Sequence, residues 1–272
     1  LKKGFKATTN FKLISQIDAI IICVPTPLTE KNEPDLSFIQ STLQSIRPFL
    51  KEYQLLVLES TSYPGTTEEE LLSFINKIPN KGDIGNPKFD VGNNFFIGYS
   101  PEREDPGNND YTIKNIPKIV SGISKNCLSL TNELYNQIVD KTVPVSSTKI
   151  AEMAKILENI QRAVNIGLMN EMKIICTELE IDIFEAIKAA ATKPFGFMKF
   201  TPGPGLGGHC IPIDPYYYIS ISENVGFQSI LSKAKDFRPR TGHPRLVPPA
   251  RRFPSGVNCR LRMPLENPSR NG

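Results

Sequence analysis

The chain has 272 residues, 39% of them hydrophobic, enough to bury a core in one large or two modest domains. Its net charge of +4 is misleading: residues 237–272 hold eight Arg, no Lys and one acid, Glu266, whereas the residues before them carry 24 basic against 27 acidic side chains. The body therefore makes no case for a nucleic-acid partner, and no apolar run approaches the length that spans a bilayer. Cys23, Cys127, Cys176, Cys210 and Cys259 are odd in number and show no CxxC spacing. A disulfide framework or a zinc site is a weak reading, no metal is expected, and a reducing cytoplasmic compartment fits best.

In chain order, Asp18–Val24 (DAIIICV) reads as a buried parallel strand stopped by Pro25 and Pro27. Pro34 and Asp35 open a helix with Leu36, Ile39, Leu43 and Ile46 on its apolar face. Gln54–Glu59 is the next strand, ending at Ser60-Thr61-Ser62-Tyr63-Pro64-Gly65. Thr66 or Thr67 caps a helix with Glu68, Glu69 and Glu70 in its first turn. Short strands near Phe95–Tyr99 and Ile119–Ser121, a helix around Lys125–Val139 and a strand at Thr142–Val145 complete an α/β pattern. From Ser146 the pattern turns helical: a long amphipathic helix over 148–180, then a capping box of Asp182 and Glu185 on a helix to about Ala191. The expected organisation is an α/β lobe over 1–146, a helical lobe over 147–236 and a tail over 237–272. The tail has Arg and Pro but no periodicity, and reads as a disordered or non-native end rather than a polyanion-binding arm.

The run GPGLGGHCIPIDP, residues 203–215, is poor core material, because glycine adds no apolar surface and its three prolines, with Pro202 just before it, stiffen the loop. It sets the Cys210 thiol four residues before the Asp214 carboxylate, an arrangement suited to covalent catalysis on a carbonyl. The bland alternative is a small buried cysteine. Gly203, Gly205 and Gly208 satisfy GxGxxG, but no strand precedes them and prolines interrupt them, so they are not a phosphate cradle. The α/β lobe has no such fingerprint on its first strand, and the opening βαβ unit is expected to be absent, as in a fragment. The cysteine loop is expected near the junction of the two lobes.

Six runs in order, DAIIICVPTPL (18–28), ESTSYPGTT (59–67), GYSPEREDPGN (98–108), IPKIVSG (116–122), AEMAKILENI (151–160) and GPGLGGHCIPIDPYY (203–217), resemble the UDP-glucose/GDP-mannose dehydrogenases. The nearest branch is that of the UDP-N-acetylglucosamine and UDP-N-acetylmannosamine 6-dehydrogenases. The resemblance covers residues 1–225. It implies a partial doubly wound parallel, Rossmann-like sheet lacking its first βαβ unit, followed by an α-helical domain with a long helix.

The resemblance further implies oxidation of a UDP-sugar C6 alcohol to the carboxylate with two NAD molecules. Cys210 would be the nucleophile, passing through a thiohemiacetal and a thioester. Lys155 and Asn159, four apart on one helix face, would stabilise the oxyanion. Asp214 would orient or activate water, and Glu102 would lie near the reacting carbon and its water. Thr61 would position that water and the cofactor. Val24, Pro25, Thr26, Ser60 and Thr61 would line the NAD site. Glu102, Arg103, Lys155, Asn159, Phe195, Phe197, Gly203, Gly205, Gly207 and Gly208 would contact the sugar nucleotide. His209 would bind substrate, tune the thiol or only shape the loop. The plain alternatives are a solvated Lys155 and Asn159, a helix-capping Asp214, a turn at Glu102 and a strand-end cap at Thr61.

The resemblance also implies a homodimer through the long helix. The first βαβ unit and the family's C-terminal UDP-binding lobe are missing from the pattern, so the chain alone is expected to be inactive. Three other readings stand beside this one: a UDP-glucose 6-dehydrogenase, a non-catalytic dimerising remnant, and a two-electron β-hydroxyacid dehydrogenase. The Gly-Gly-His-Cys run argues against the last, whose chemistry needs no thiol.

Overall fold

The computed structural model describes residues 6–77, 89–104, 110–206, 211, 213–229 and 231. Five strands form one sheet in sequential order: β1 (Ala19–Ile22), β2 (Leu55–Leu58), β3 (Phe96–Tyr99), β4 (Lys118–Gly122) and β5 (Thr142–Pro144). β1, β2 and β3 run parallel, β4 runs antiparallel to β3, and β5 is parallel to β4. The class is the expected Rossmann-like α/β, with one antiparallel pair in an otherwise parallel sheet. An antiparallel return needs no crossover helix, and the described residues between β3 and β4 contain none.

β2 (LLVL) is buried at every position, as a central parallel strand must be. β1 has only β2 beside it and buries Ile20 and Ile22, while Ile21 stays 39% exposed; the apolar run 18–24 is thus buried on one face only. α1 (Ser37–Ile46) buries the expected stripe, Ile39, Leu43 and Ile46, with Leu36 just ahead of it. α3 (Lys125–Asn136) lies across β2, β3, β4 and β5. Ser124 caps it by accepting the Cys127 amide, 3.2 Å. The helix comes close because Gly98 and Gly122 face each other across β3 and β4. A Cβ on Gly98 would strike Thr131, and one on Gly122 would strike the backbone of Cys127 and Leu128. Leu55, Val57, Val120 and Tyr135 form the core beneath it.

The helix after β2 departs from expectation. Residues Thr67–Leu72 form a π turn that continues into α2 (Ser73–Asn76), and neither Thr66 nor Thr67 caps it from within. Thr66 is already helical, and its hydroxyl bonds back to the Tyr63 carbonyl and amide. The capping acceptor comes from afar, from Glu152 on α4 (Thr148–Glu178). Asp182 caps α5 (Ile183–Ala190) by accepting the Phe184 amide, 2.9 Å. α6 spans Asp214–Asn224.

The chain divides into two compact units. The first contains residues up to Leu157 together with Tyr216–Ile221 and holds the sheet. The second contains Glu158–Pro215 and the chain from Ser222 onward; there α5 packs on α4 through Cys176, Ile183, Ile187 and Met169.

Candidate active site

Sheet register assembles a charged cluster at one edge of the first unit. β1 and β2 pair Ile22 with Leu58, so the next residues, Cys23 and Glu59, come side by side. β3 and β4 pair Tyr99 with Ser121, and the same antiparallel register carried three residues further sets Glu102 opposite Lys118. Because β4 runs backwards, its first residue lies at the carboxyl ends of β1, β2 and β3, the edge where open α/β sheets take ligands. Lys118, 8% exposed at its side chain, makes ion pairs with Glu59 at 3.1 Å and Glu102 at 2.9 Å. Tyr135 donates its hydroxyl to Glu59 and lays its ring 5.2 Å from the Lys118 ammonium.

Glu102 accepts from three donors. One carboxylate oxygen takes the amides of Arg103 (2.7 Å) and Glu104 (2.8 Å), and the other takes Lys118. Burial pushes its pKa up, but the hydrogen bond and charge of Lys118 and the two amides outweigh burial and leave it below the usual carboxylate range. Lys155 donates to the Glu102 main-chain carbonyl, 2.5 Å. The structure thus brings two expected site residues, Glu102 and Lys155, into contact, and Arg103 turns its guanidinium to the Pro117 carbonyl. Cys23 donates to Glu59, 3.3 Å, and burial together with the Glu59 charge pushes its thiol up to about 12. The residue keeps an exposed face, which sets access; the carboxylate beside its sulfur sets ionisation.

The loops after β1 and β2 are tied together. Ser60 accepts the Val24 amide at 2.8 Å, and Tyr217 on α6 donates to the buried Thr26 carbonyl at 3.1 Å. Val24 and Thr61 are half-buried and Pro25 is exposed. Val24, Pro25 and Thr26 follow β1 and Ser60 and Thr61 follow β2, so these neutral residues stand at the carboxyl ends of parallel strands, where open α/β sheets take nucleotides rather than cations. Among the described residues no group of His, Cys, Asp and Glu could hold a metal.

In the second unit, Asn159 donates its amide to the fully buried Asp214, 2.5 Å, so two further expected residues meet. The Gly203 amide donates to Asn170 at 2.8 Å. Phe195 is 71% exposed, with the Lys193 ammonium 4.9 Å from its ring centre; Phe197 and Gly205 are half-buried. Cys210, His209, Gly207 and Gly208 lie outside the described residues.

The motif reading missed Glu59, Lys118, Tyr135, Glu152 and Asn170. Glu59 and Lys118 stand in quoted runs, ESTSYPGTT and IPKIVSG, where a charge at a strand end was the available signal. Tyr135 and Asn170 lie inside helices and gave none.

A Rossmann-like sheet with a charged cluster at the carboxyl ends of its parallel strands places the chain in the class of nucleotide-binding α/β proteins. Residues 1–139 match the UDP-glucose/GDP-mannose dehydrogenase family, NAD binding domain, and residues 149–236 match the central domain of the same family. The chain belongs to that family, whose cofactor is NAD. It is 41% identical over 220 residues to Protein CapL of Staphylococcus aureus, covering 80% of this chain and 50% of that protein. It is 36% identical over 253 residues to UDP-N-acetyl-D-glucosamine 6-dehydrogenase of Pseudomonas aeruginosa, covering 93% and 54%. The solved UDP-D-ManNAc dehydrogenase from Pyrococcus horikoshii superposes with a TM-score of 0.69 at 32% identity, covering 78% of this chain and 48% of that one. The chain spans about half the length of the curated relatives it matches.

Proposed function

We propose that this protein carries out NAD-dependent oxidation of the C6 hydroxyl of a UDP-N-acetylhexosamine to the uronic acid. The observation that supports this most directly is the contact of Lys155 with Glu102 beside a buried Lys118, at the carboxyl ends of parallel strands in a chain of this family. Val24, Pro25, Thr26, Ser60 and Thr61 would hold NAD, which would supply the hydride acceptor, two molecules in turn for the four electrons. The Cys210 thiolate adds to the C6 aldehyde, and water hydrolyses the thioester formed after the second oxidation, returning the thiol. Lys155 and Asn159 stabilise the oxyanion on the reacting carbon. Glu102, an ionised acceptor, and Asp214, held by Asn159, orient and deprotonate water, and Thr61 positions it. Phe195, Phe197, Gly203, Gly205, Gly207, Gly208 and Arg103 line the sugar-nucleotide site. The cysteines at 23, 127 and 176 are free thiols, which fits a reducing cytoplasm.

Alkylation and turnover test this reading. Cys210 is expected to react faster than Cys23, whose thiol is held protonated, and faster than buried Cys176, with protection by UDP-GlcNAc or UDP-ManNAc. In a protein of the relatives' full length that carries this chain, Cys210→Ser should abolish UDP-sugar-dependent NADH formation. Equal alkylation of Cys210 and Cys23, unprotected by either UDP-sugar, would overturn the reading.

We also propose a homodimer through α4. Its exposed apolar residues Ile150, Leu157, Leu168, Met172 and Ile175 recur at helical spacings along one stripe. Light scattering should give a dimer for the chain and a monomer for Leu168→Glu/Ile175→Glu; a monomeric parent chain refutes it.

A further inference from the structure

A lysine with an almost wholly buried side chain must be compensated, because an ammonium out of water without partners is prohibitively costly. Lys118 has two carboxylate partners of unequal exposure. Glu59 is 15% exposed at its side chain and already accepts from Tyr135 and Cys23. Glu102 is 44% exposed at its side chain and keeps an open face. The buried carboxylate anchors the ammonium, and the ammonium in turn grips the carboxylate that faces outward. Gripping is directional: Lys118 takes one Glu102 oxygen while the Arg103 and Glu104 amides take the other, so the carboxylate plane is set from both sides. Lys155 pins the same residue through its main-chain carbonyl.

We propose that Lys118, backed by Glu59 and Tyr135, is a positioning residue that fixes the Glu102 carboxylate as a hydrogen-bond acceptor toward the reacting group. The inference rests on the dehydrogenase reading, through the role given there to Glu102. The charged and titratable groups around Glu102 come from every neighbouring element: Lys118 from β4, Cys23 after β1, Glu59 after β2, Tyr135 from α3, Lys155 from α4, and Arg103 and Glu104 from its own loop. Tyr135 and Cys23 stay protonated, both pushed upward chiefly by burial. Against its partial burial, the hydrogen bond and charge of Lys118 and the Arg103 and Glu104 amides hold Glu102 below the usual carboxylate range.

The test measures the Glu102 titration directly, by carbon-13 NMR of glutamate carboxyl groups with Glu102→Gln as the assignment control. Lys118→Met strands two carboxylates and risks misfolding, so the decisive variant is Lys118→Met/Glu59→Gln, which removes one charge of each sign. Its Glu102 midpoint should rise by about 1–3 pH units, as expected for loss of an opposite charge in contact. Lys118→Arg should restore the midpoint. In turnover by a protein of the relatives' full length that carries this chain, the double variant should lose kcat about 10-fold or more with little change in the UDP-sugar KM, and its acidic limb should move with the NMR midpoint. A folded double variant with an unchanged Glu102 midpoint overturns the clamp. Absence of NADH formation by a protein of the relatives' full length that carries this chain sinks the dehydrogenase reading alone, since the titration still decides what Lys118 does to Glu102.

Discussion

Removing the Glu152 carboxylate is expected to cost more than any single surface change in the sheet-bearing unit. Glu152 is fully buried and accepts from the Gly65 amide at 2.6 Å, the Thr67 amide at 2.9 Å and the Thr67 hydroxyl at 2.7 Å. It is an N-terminal cap supplied by α4, some 85 residues distant, to the turn that follows the Ser60–Thr61 loop. Glu152→Ala strands two buried amides and a hydroxyl, each worth about 1–3 kcal/mol when unsatisfied. Partial rehydration of the cavity brings the sum to about 3–5 kcal/mol. For a unit of this size that lowers the melting temperature by roughly 6–20 °C. Glu152→Gln keeps one acceptor oxygen but turns an N–H toward the Gly65 amide, and should cost about 1–3 kcal/mol.

The pH dependence adds a second reading of the same site. Burial pushes Glu152 above the usual carboxylate range, against the pull of its Thr67 and Gly65 hydrogen bonds. The folded chain therefore binds this proton more tightly than the unfolded chain. The Glu152 contribution is greatest at and below the unfolded value, ~4.3, and declines as pH rises through the raised folded value. The stability deficit of Glu152→Gln should accordingly be larger near pH ~4 than at neutrality. Urea denaturation followed by circular dichroism measures both effects. A Glu152→Ala variant within about 0.5 kcal/mol of the parent would refute the capping argument.

Gly122→Ala should destabilise by about 2–4 kcal/mol, because the added carbon meets helix backbone rather than a movable side-chain tip, whereas Gly203→Ala, with nothing nearer than 3.8 Å, should melt with the parent. Burial and then the Glu59 carboxylate hold the Cys23 thiol protonated, so Glu59→Gln, which removes the second cause, should make iodoacetamide label Cys23 several-fold faster at pH ~8; an unchanged rate contradicts the part assigned to Glu59. Asn159→Leu deprives buried Asp214 of a donor and should lower stability by about 1–3 kcal/mol in denaturant titration. Glu102, held below its ordinary range, should contribute stability that is full above the unfolded value and lost as pH falls through the folded one; in Lys118→Arg that acid loss should persist.

Periodicity and punctuation set the secondary structure almost to the residue. The apolar run of Leu55–Leu58, the stripe of Ile39, Leu43 and Ile46, and the proline-free stretch that became Thr148–Glu178 are local properties of the chain, and each formed as its pattern required. Lys155 and Asn159 share a helix face by spacing alone, and Asp214 opens a helix, as its plain helix-capping alternative expects. What local pattern could not carry was direction and register. Nothing in IPKIVSG says that its strand returns antiparallel to Phe96–Tyr99, yet that choice sets Lys118 across from Glu102 instead of at the far edge of the sheet. Likewise nothing in AEMAKILENI says that Glu152 caps a turn beginning at Gly65, so the sequence points to Thr66 or Thr67 for a role that a distant carboxylate fills. Side chains whose work is done on near neighbours are written in the chain, because dihedral preference and spacing act over a few residues. Glu59, Lys118 and Glu152 act across the sheet and between elements, and only the pairing of strands and the packing of α4 determined their partners.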